Sequence, residues 1–188
     1  SLDELGTDRI DLLLIHWPHP RVPIAESVGA LDELVDEGLV SHIGVSNFTA
    51  AQVEAAVAAA DHPIVTDQVH YNPYADRSAR LERCRDIGVS LTAYSPLGRG
   101  RVLDDGVLAD IGERYDKSAA QVALRWLVQQ DGVLAVPKAT GRDHLAANLA
   151  VFDFELSADE MGRVASRRPG LVGRVKNRLP GLMRRIPF

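Results

Sequence analysis

The alternation of short apolar runs with helical patterns constrains the fold of this chain more than any other feature. Five runs have the mostly apolar composition of buried parallel strands: 12–15, 42–45, 65–69, 90–94 and 133–136. Helical patterns follow or separate them over 25–37, 50–60, 77–87, 105–115 and 119–130. Strand–helix units in succession predict a parallel sheet that is covered by helices.

Several helix boundaries can be read directly from the sequence. Thr49-x-x-Gln52, Ser118-x-x-Gln121 and Ser157-x-x-Glu160 are capping-box patterns, which open a helix. Gly38 and Gly88 each follow a helical pattern and end it. Residues 1–6 are interpreted as the end of a helix that leads into the first strand.

The polar residues at the strand ends favour a barrel over an open sheet. No G-x-G-x-x-G follows any strand, so the dinucleotide motif of the doubly wound fold is missing. Each strand runs into polar or hydrogen-bonding residues, which are His16, Ser46, Asn47, Gln68, Tyr94, Ser95 and Lys138. In a (β/α)8 barrel such residues converge on the carboxyl face, where barrel enzymes keep their active sites.

The number of units is too small for a complete barrel. A barrel of eight units needs roughly 250 residues, whereas this chain has 188. The sequence therefore predicts an α/β fold of the (β/α)8 TIM-barrel type that is incomplete, with about five units corresponding to strands 4–8. We expect the absent units to precede residue 1. The two open edges of such a sheet predict self-association, in which two copies cover each other's unpaired strands.

Composition excludes several classes of protein and site. The chain is 46% apolar and 25% charged, which suits one globular domain. Cys84 is the only cysteine, so an internal disulfide and cysteine-based metal centres are excluded, and a reducing, cytoplasmic location is expected. No run approaches the ~18 apolar residues of a membrane span. The basic residues are not interleaved with aromatics, so nucleic-acid binding is not predicted.

Several short motifs occur in a specific order along the chain. They are LGTDRIDL at 5–12 leading into IHWP at 15–18, GVSNF at 44–48, Gln68 with YNP at 71–73, YSPLGRG at 94–100, VPKAT at 136–140, Asn148-Leu149, and FDF at 152–154. Together they resemble the aldo-keto reductases, from Leu2 to about Arg168. The resemblance implies a barrel that binds NADPH without a Rossmann domain and an NAD(P)H-dependent oxidoreductase that reduces aldehydes and ketones to alcohols.

The same resemblance implies a catalytic set of Asp, Tyr, Lys and His. The tyrosine protonates the carbonyl oxygen, the lysine held by the aspartate lowers the tyrosine's pKa, and the histidine orients the carbonyl. His16 matches the histidine. The other three family residues lie on strands that precede the histidine, and this sequence has no such strands. We therefore expect a shortened form that lacks the catalytic tyrosine and does not reduce carbonyls at a normal rate alone.

Most of the predicted cofactor residues also rest on the resemblance. Ser46, Asn47 and Gln68 match the residues that hold the nicotinamide carboxamide, and Tyr94 matches the tyrosine that stacks on its ring. Ser95, Leu97 and Gly98 belong to the loop that matches the pyrophosphate loop. Lys138 and Thr140 match contacts to the adenosine ribose and its 2'-phosphate, and Asn148 matches an adenine contact.

One position departs from the family and bears on the cofactor. The family usually has an arginine six residues after the lysine, and here that position is His144. Arg142, two residues earlier, is a candidate substitute. Histidine is only partly charged at pH 7 and cannot hold a phosphate in two places. NADPH is therefore the expected cofactor, with NADH as the alternative.

Other interpretations of these residues and of the chain stay open. His16 and Tyr94 could be ordinary strand-end and core residues, and Asn47 could serve a turn. His16-x-x-His19 has no nearby cysteine or carboxylate, so no metal site is predicted. The chain could be a non-catalytic nicotinamide-binding module or a degraded gene product. A partial barrel over 1–168 and a basic tail over 169–188 are expected, the tail being a frayed end, a lid over the substrate, or an amphipathic surface. The partner is a small carbonyl substrate that the sequence does not identify.

Overall fold

The structure is a computed structural model that describes residues 2–167. The predicted basic tail over 169–188 lies outside the described residues, and its roles stay predictions. Within residues 2–167, no helix is both long and apolar enough to cross a membrane.

The five predicted strands are confirmed. They are β1 (Ile10–Ile15), β2 (Val40–Ser46), β3 (Ile64–His70), β4 (Ser90–Tyr94) and β5 (Val133–Val136). The last two have the predicted bounds, and the first three extend one or two residues further at their ends. Those end residues include Asp11, Ser41 and His70, whose polar side chains interrupt the apolar pattern while their backbones continue the sheet.

The helices largely agree with the sequence prediction. They are α1 (Leu2–Leu5), α2 (Ile24–Asp36), α3 (Ala50–Ala59), α4 (Ser78–Asp86), α5 (Gly106–Glu113), α6 (Ala119–Val128), α7 (Arg142–Leu149) and α8 (Ala158–Ala165), with 3-10 segments over Gly98–Asp104 and Ala150–Phe152. All three predicted capping boxes form, at the starts of α3, α6 and α8. The helix α7 was not predicted, because most of its side chains are exposed and show no apolar periodicity.

The strand order distinguishes an open doubly wound sheet from a (β/α)8 barrel. The strands pair in chain order β1-β2-β3-β4-β5, and every pair is parallel. A doubly wound sheet would reverse its order at a switch point. Crossovers of one hand between successive strands place all the connecting helices on one face. The arrangement is that of consecutive units of a (β/α)8 barrel, and the sheet is open at β1 and β5 within the described residues.

The sheet has a helix-covered face and a second, inner face. Alternate residues such as Ile43, Val45 and Leu91 are buried under the helices in two apolar clusters. Because side chains alternate along a strand, Leu12 of β1 and Leu134 of β5 belong to the inner face. They are 42% and 52% exposed respectively. The inner face is thus most open at the two edge strands, and the expected self-association there stays a prediction.

Gly44 allows β2 to pass close to its neighbours β1 and β3 near the predicted site. A Cβ on Gly44 would lie 2.7 Å from Cδ2 of Leu14 and 2.8 Å from the carbonyl oxygen of Thr66. Glycine is therefore needed where β2 passes between these two neighbours. Further along the same strand, β2 ends at Ser46, and Asn47 of the predicted site follows directly.

Candidate functional site

The predicted site residues nearest the strands lie along one edge of the sheet. His16 directly follows β1, Ser46 ends β2, and Tyr94 ends β4. Gln68 lies in β3 opposite Ser46. Because all strands are parallel, these residues share the carboxyl edge, as the sequence predicts.

Asn47 connects the ends of four neighbouring strands. Its Nδ2 donates to the carbonyl oxygen of His16 (3.1 Å) and to Oγ of Ser46 (3.0 Å). Its Oδ1 accepts a hydrogen bond from Oη of Tyr94 (3.1 Å), and its backbone N–H donates to the carbonyl oxygen of Gln68 (3.0 Å). Asn47 has a φ of 62°, a left-handed conformation that asparagine tolerates better than most residues. We refer to this set of bonds as the Asn47 junction.

The residues around the junction leave polar groups for a ligand. Ser46 is buried, and its Oγ donates to the carbonyl oxygen of Gln68 (2.8 Å). The side-chain amide of the half-buried Gln68 makes no hydrogen bond to any residue of the described chain. A primary amide both donates and accepts, so Gln68 can pair with another amide at this edge.

Tyr94 presents an aromatic ring beside the junction. Its ring lies at 49° to the ring of His70, with the centroids 5.5 Å apart.

Burial lowers the pKa of His70, and the positive charges of Arg77 and Arg99 lower it further. His70 is therefore neutral at pH 7 and is both a donor and an acceptor.

The loop after β4 has an unusual backbone. Ser95, Gly98, Arg99 and Gly100 all have positive φ, between 51° and 90°. A side chain at Gly98 would also be crowded, because a Cβ there would lie 3.2 Å from the ring of Tyr74. The N–H groups of Gly98 and Gly100 donate within the turn, to Ser95 and Leu97. The loop is thus tightly folded, and Arg99 is exposed on it.

The remaining predicted residues form a second group beyond β5. Lys138, Thr140, Arg142 and His144 are exposed, and Asn148 is half-buried. Arg142 and His144 lie in the first turn of α7, whose N-terminus has no side-chain cap. Nε2 of Gln121 donates to the carbonyl oxygen of Ala147 (3.0 Å) and fixes α7 against α6. Within the described residues, no hydrogen bond joins this group to the Asn47 junction.

A cleft beside the junction was not found from the sequence. Its volume is about 520 Å³. Its lining includes Trp17, Phe48, His70, Asp76, Arg77 and Arg80, together with Asn47 and Tyr94. The spacing Arg77-x-x-Arg80 just after a strand is the signal that could have drawn attention to it, since residues three apart share a helix face.

A buried ion pair lies behind this cleft. Asp67 in β3 is fully buried, and its Oδ2 accepts from Nη1 of Arg80 at 2.6 Å. Its Oδ1 has no hydrogen-bond partner among the described residues. Burial raises the pKa of Asp67 to about 6, although Arg80 acts in the opposite direction. The signal in the sequence was an acid inside an apolar strand, directly before Gln68.

The histidine pair considered for metal binding has a local structural explanation. Nδ1 of His19 accepts from the backbone N–H groups of Arg21 (3.2 Å) and Val22 (3.1 Å). No group of three metal-ligating side chains occurs within residues 2–167. His19 therefore holds the turn after β1.

Comparison with known sequences identifies relatives along nearly the whole described chain. The aldo/keto reductase family model matches residues 1–168. The chain is 41% identical over 164 residues to the uncharacterized oxidoreductase YtbE of Bacillus subtilis, covering 87% of this chain and 58% of that protein. It is 37% identical to the glyoxal reductase of Bacillus subtilis, covering 87% and 59%, and 38% identical to the methylglyoxal reductase DkgB of Salmonella typhi, covering 88% and 63%.

Solved structures give the same result. A putative 2,5-diketo-D-gluconic acid reductase B superposes with a TM-score of 0.88 at 46% identity, over 90% of this chain and 60% of that one. An aldo-keto reductase of the silkworm Bombyx mori in complex with NADP superposes with a TM-score of 0.81 at 31% identity, over 89% and 60%. The chain thus spans about three fifths of the length of the proteins that it matches. It belongs to the aldo/keto reductase family, with the fold of an incomplete (β/α)8 barrel.

Proposed function

We propose that this chain is the cofactor-binding part of an NADPH-dependent reductase that converts small aldehydes or ketones to alcohols. The observation that carries the proposal is the Asn47 junction, which presents Ser46, Gln68 and Tyr94 at one edge beside His16. The glyoxal and methylglyoxal reductases among the relatives support a small carbonyl compound as the substrate class.

The residues at the junction fit a nicotinamide. The amide of Gln68 is available to donate to and accept from a carboxamide, and Asn47 and Ser46 add polar atoms next to it. Tyr94 presents a ring against which a flat heterocycle packs. When bound, the nicotinamide would supply the hydride. His16, exposed at the end of β1, would donate a hydrogen bond from its imidazole to the carbonyl oxygen and orient it.

The residues beyond β5 fit the phosphate end of the same cofactor. Lys138 and Arg142 are exposed cations on consecutive segments, and Arg142 lies in the uncapped first turn of α7. Helix N-termini favour anions through their free N–H groups and the helix dipole. Arg142 thereby replaces the arginine that the family usually has at the position of His144.

Replacing Arg142 by glutamine tests this assignment. We expect R142Q to weaken NADPH binding about tenfold, because one charge-assisted contact to the 2'-phosphate is lost. Binding of NADH, which lacks that phosphate, should stay unchanged. The measurement is a titration of both cofactors into the wild type and the variant, followed by tryptophan fluorescence. R9Q, which changes an exposed arginine at the opposite end of β1, is the control. An equal loss of affinity for NADPH and NADH would show that Arg142 does not contact the 2'-phosphate.

The catalytic tyrosine is a separate question, and all four tyrosines of the sequence are described. Their hydroxyl groups donate to Gln130 (Tyr71), Asp105 (Tyr74), Asn47 (Tyr94) and Glu160 (Tyr115). Burial and the bond to Asp105 raise the pKa of Tyr74 to about 12, which makes it a weaker acid. None of these tyrosines is hydrogen-bonded to His16. The lack of a tyrosine bonded to His16 favours a second candidate function, a nicotinamide-binding module without catalysis.

We expect the 188-residue chain to bind NADPH but to reduce carbonyls slowly. A positioned general acid contributes about 10²- to 10⁴-fold to the rate, and within residues 2–167 no tyrosine is hydrogen-bonded to His16. The measurement is the loss of NADPH absorbance with methylglyoxal, alongside a full-length family reductase. A rate within about tenfold of that reductase, abolished by H16A, would show that another group in this chain serves as the acid.

The proposal includes a location in a reducing compartment, the cytoplasm. Cys84, the single cysteine, is a buried residue of α4, and burial raises the pKa of its thiol to about 11. Such a thiol is rarely ionised and unreactive. The cytoplasmic location is proposed because the sequence has one cysteine and therefore no internal disulfide.

A further inference from the structure

The YNP motif at 71–73 places a buried asparagine against the loop that follows β4. Asn72 is 1% exposed, and its Oδ1 accepts a hydrogen bond from the backbone N–H of Tyr74 (3.0 Å). Its Nδ2 donates to the carbonyl oxygen of Ser95 (3.1 Å). The first bond needs the amide oxygen and the second needs the amide nitrogen, so together they determine the orientation of the Asn72 amide.

The ring of His70 is a second acceptor for this amide. Nε2 of His70 lies 3.2 Å from Nδ2 of Asn72. Because Nδ2 can only donate, Nε2 must accept, and the proton of the neutral ring is then on Nδ1. A neutral ring agrees with the pKa of His70, which burial lowers and which the positive charges of Arg77 and Arg99 lower further. The contact therefore requires an imidazole whose Nε2 carries no proton.

Protonation of His70 would break the contact with Asn72. The N–H of a protonated Nε2 would face the N–H groups of Nδ2, so two donors would lie 3.2 Å apart. Turning the Asn72 amide by half a rotation would present its oxygen to His70. The same rotation would place the amide nitrogen against the N–H of Tyr74 and the oxygen against the carbonyl of Ser95, so both other bonds would be lost. The link from His70 to Ser95 thus exists only while His70 is neutral.

The backbone of Ser95 needs this support. Its φ of 51° is a left-handed conformation that is uncommon for residues other than glycine. Such a conformation persists where the surrounding structure holds it. The carbonyl oxygen of Ser95 accepts from Nδ2 of Asn72 (3.1 Å) and from the N–H of Gly98 (3.0 Å). Tyr94, whose ring lies beside His70, directly precedes it. Loss of the Asn72 bond would therefore loosen the start of the loop and the neighbouring ring.

We propose that His70 is a positioning residue for the cofactor site, in which its neutral ring holds Asn72 and Asn72 holds Ser95. The proposal rests on the proposed function, because it takes Tyr94 and the loop over 95–100 to contact the nicotinamide and the pyrophosphate. Apparent affinity is reduced by the fraction of the protein that has left the binding-competent state. Cofactor affinity is therefore high above the pKa of His70 and is lost as the pH falls through it.

Other charged groups lie close enough to His70 to complicate a pH profile. Those near the ring come from the start of α4 and from the loop after β4, and they are Asp76, Arg77, Arg80 and Arg99. The arginines stay charged at every pH of the test. Asp67, which is paired with Arg80, has a pKa of about 6 and also titrates. Comparison with a variant that lacks only the titration of His70 cancels these contributions.

Two variants at position 70 separate the hydrogen bond from the titration. H70Q offers an amide oxygen to Nδ2 of Asn72 and does not titrate, whereas H70F keeps a ring beside Tyr94 but has no acceptor. The measurement is the Kd of NADP+ for the full 188-residue chain between pH 4.5 and pH 8, followed by tryptophan fluorescence. At pH 8 we expect H70Q to bind like the wild type and H70F to bind about fivefold more weakly. Towards pH 4.5 the wild type should lose at least about fivefold more affinity than H70Q.

H62Q is the matched control, since it removes a histidine that precedes β3 and pairs with Asp36. It should follow the wild type at every pH. The same pH profile in the wild type and H70Q would overturn the proposal. Tighter binding by the wild type than by H70Q at low pH would also overturn it, because the charge of His70 would then attract the cofactor. If circular dichroism shows that H70F is not folded, the comparison of the wild type with H70Q decides.

Hydrogen exchange tests the link without a cofactor. The N–H of Gly98 donates to the carbonyl oxygen of Ser95, so its protection reports whether that carbonyl stays in place. We expect this protection, relative to the unfolded chain at the same pH, to fall with pH in the wild type, to persist in H70Q and to be low in H70F. This order without any NADP+ binding would overturn the proposed function and the role in cofactor binding, while supporting the link. Equal protection in all three proteins would overturn the link, whether or not NADP+ binds.

Discussion

Replacing Asn47 by alanine should lower the free energy of unfolding by about 3 kcal/mol, because three side-chain hydrogen bonds worth ~1 kcal/mol each are lost. Those bonds run to His16, Ser46 and Tyr94. Alanine also tolerates the φ of 62° poorly. NADPH binding should weaken at least tenfold, since the ring of Tyr94 and the end of β1 lose their common support. Urea denaturation and a fluorescence titration measure the two effects.

Two further variants at this position separate backbone strain from side-chain bonding. N47G keeps the left-handed conformation at no steric cost, so it should be about 1 kcal/mol more stable than N47A. Its NADPH affinity should nevertheless be as low as that of N47A. N47D keeps an acceptor for Tyr94 but loses the donor to His16. Wild-type NADPH affinity in N47G would show that the junction only holds the strands and does not shape the cofactor site.

Local signals were enough to predict most of the fold. The strand 90–94 and the helix after Ser118 were predicted with bounds correct to within two residues, because apolar runs and capping boxes act over a few residues. Helix α7 was not predicted, because it has no buried residue and so no apolar stripe in the sequence. Sequential strand order followed from the repeated strand–helix units and from the polar strand ends.

The sequence predicted which polar residues follow the strands, but not how they are connected. The position of Asn47 after β2 followed from the sequence, whereas its bonds to His16 and Tyr94 join residues 31 and 47 positions apart. The spacing Arg77-x-x-Arg80 could indicate a shared helix face, but the cleft also needs Trp17, Asn47 and Tyr94, which are distant in the sequence. Asp67 was visible as an acid in a strand, but its ion pair with Arg80 is known only from the fold.

The stability of the protein should depend on pH through Asp67. Its pKa is about 6 in the folded chain, against an ordinary value of 3.8 when exposed. Between these pH values the folded state holds a proton that the unfolded state releases, so the contribution to stability is present at low pH and is lost as the pH rises through 6. The difference of about two pH units corresponds to about 3 kcal/mol. Ionised Asp67 keeps its bond to Arg80, but that bond does not offset the burial of the charge.

The variant D67N isolates this contribution, because its amide oxygen still accepts from Arg80 but carries no titrating proton. Urea denaturation of both proteins at pH 4 and pH 8 gives the measurement. We expect the stability of the wild type relative to D67N to fall by about 3 kcal/mol between the two pH values. Relative to D110N, which changes an exposed acid of α5, the wild type should show no such change. A constant difference between wild type and D67N would mean that Arg80 fully compensates the buried carboxylate. Arg80 would then be held in place at every pH, and the cleft that it lines would keep one geometry throughout.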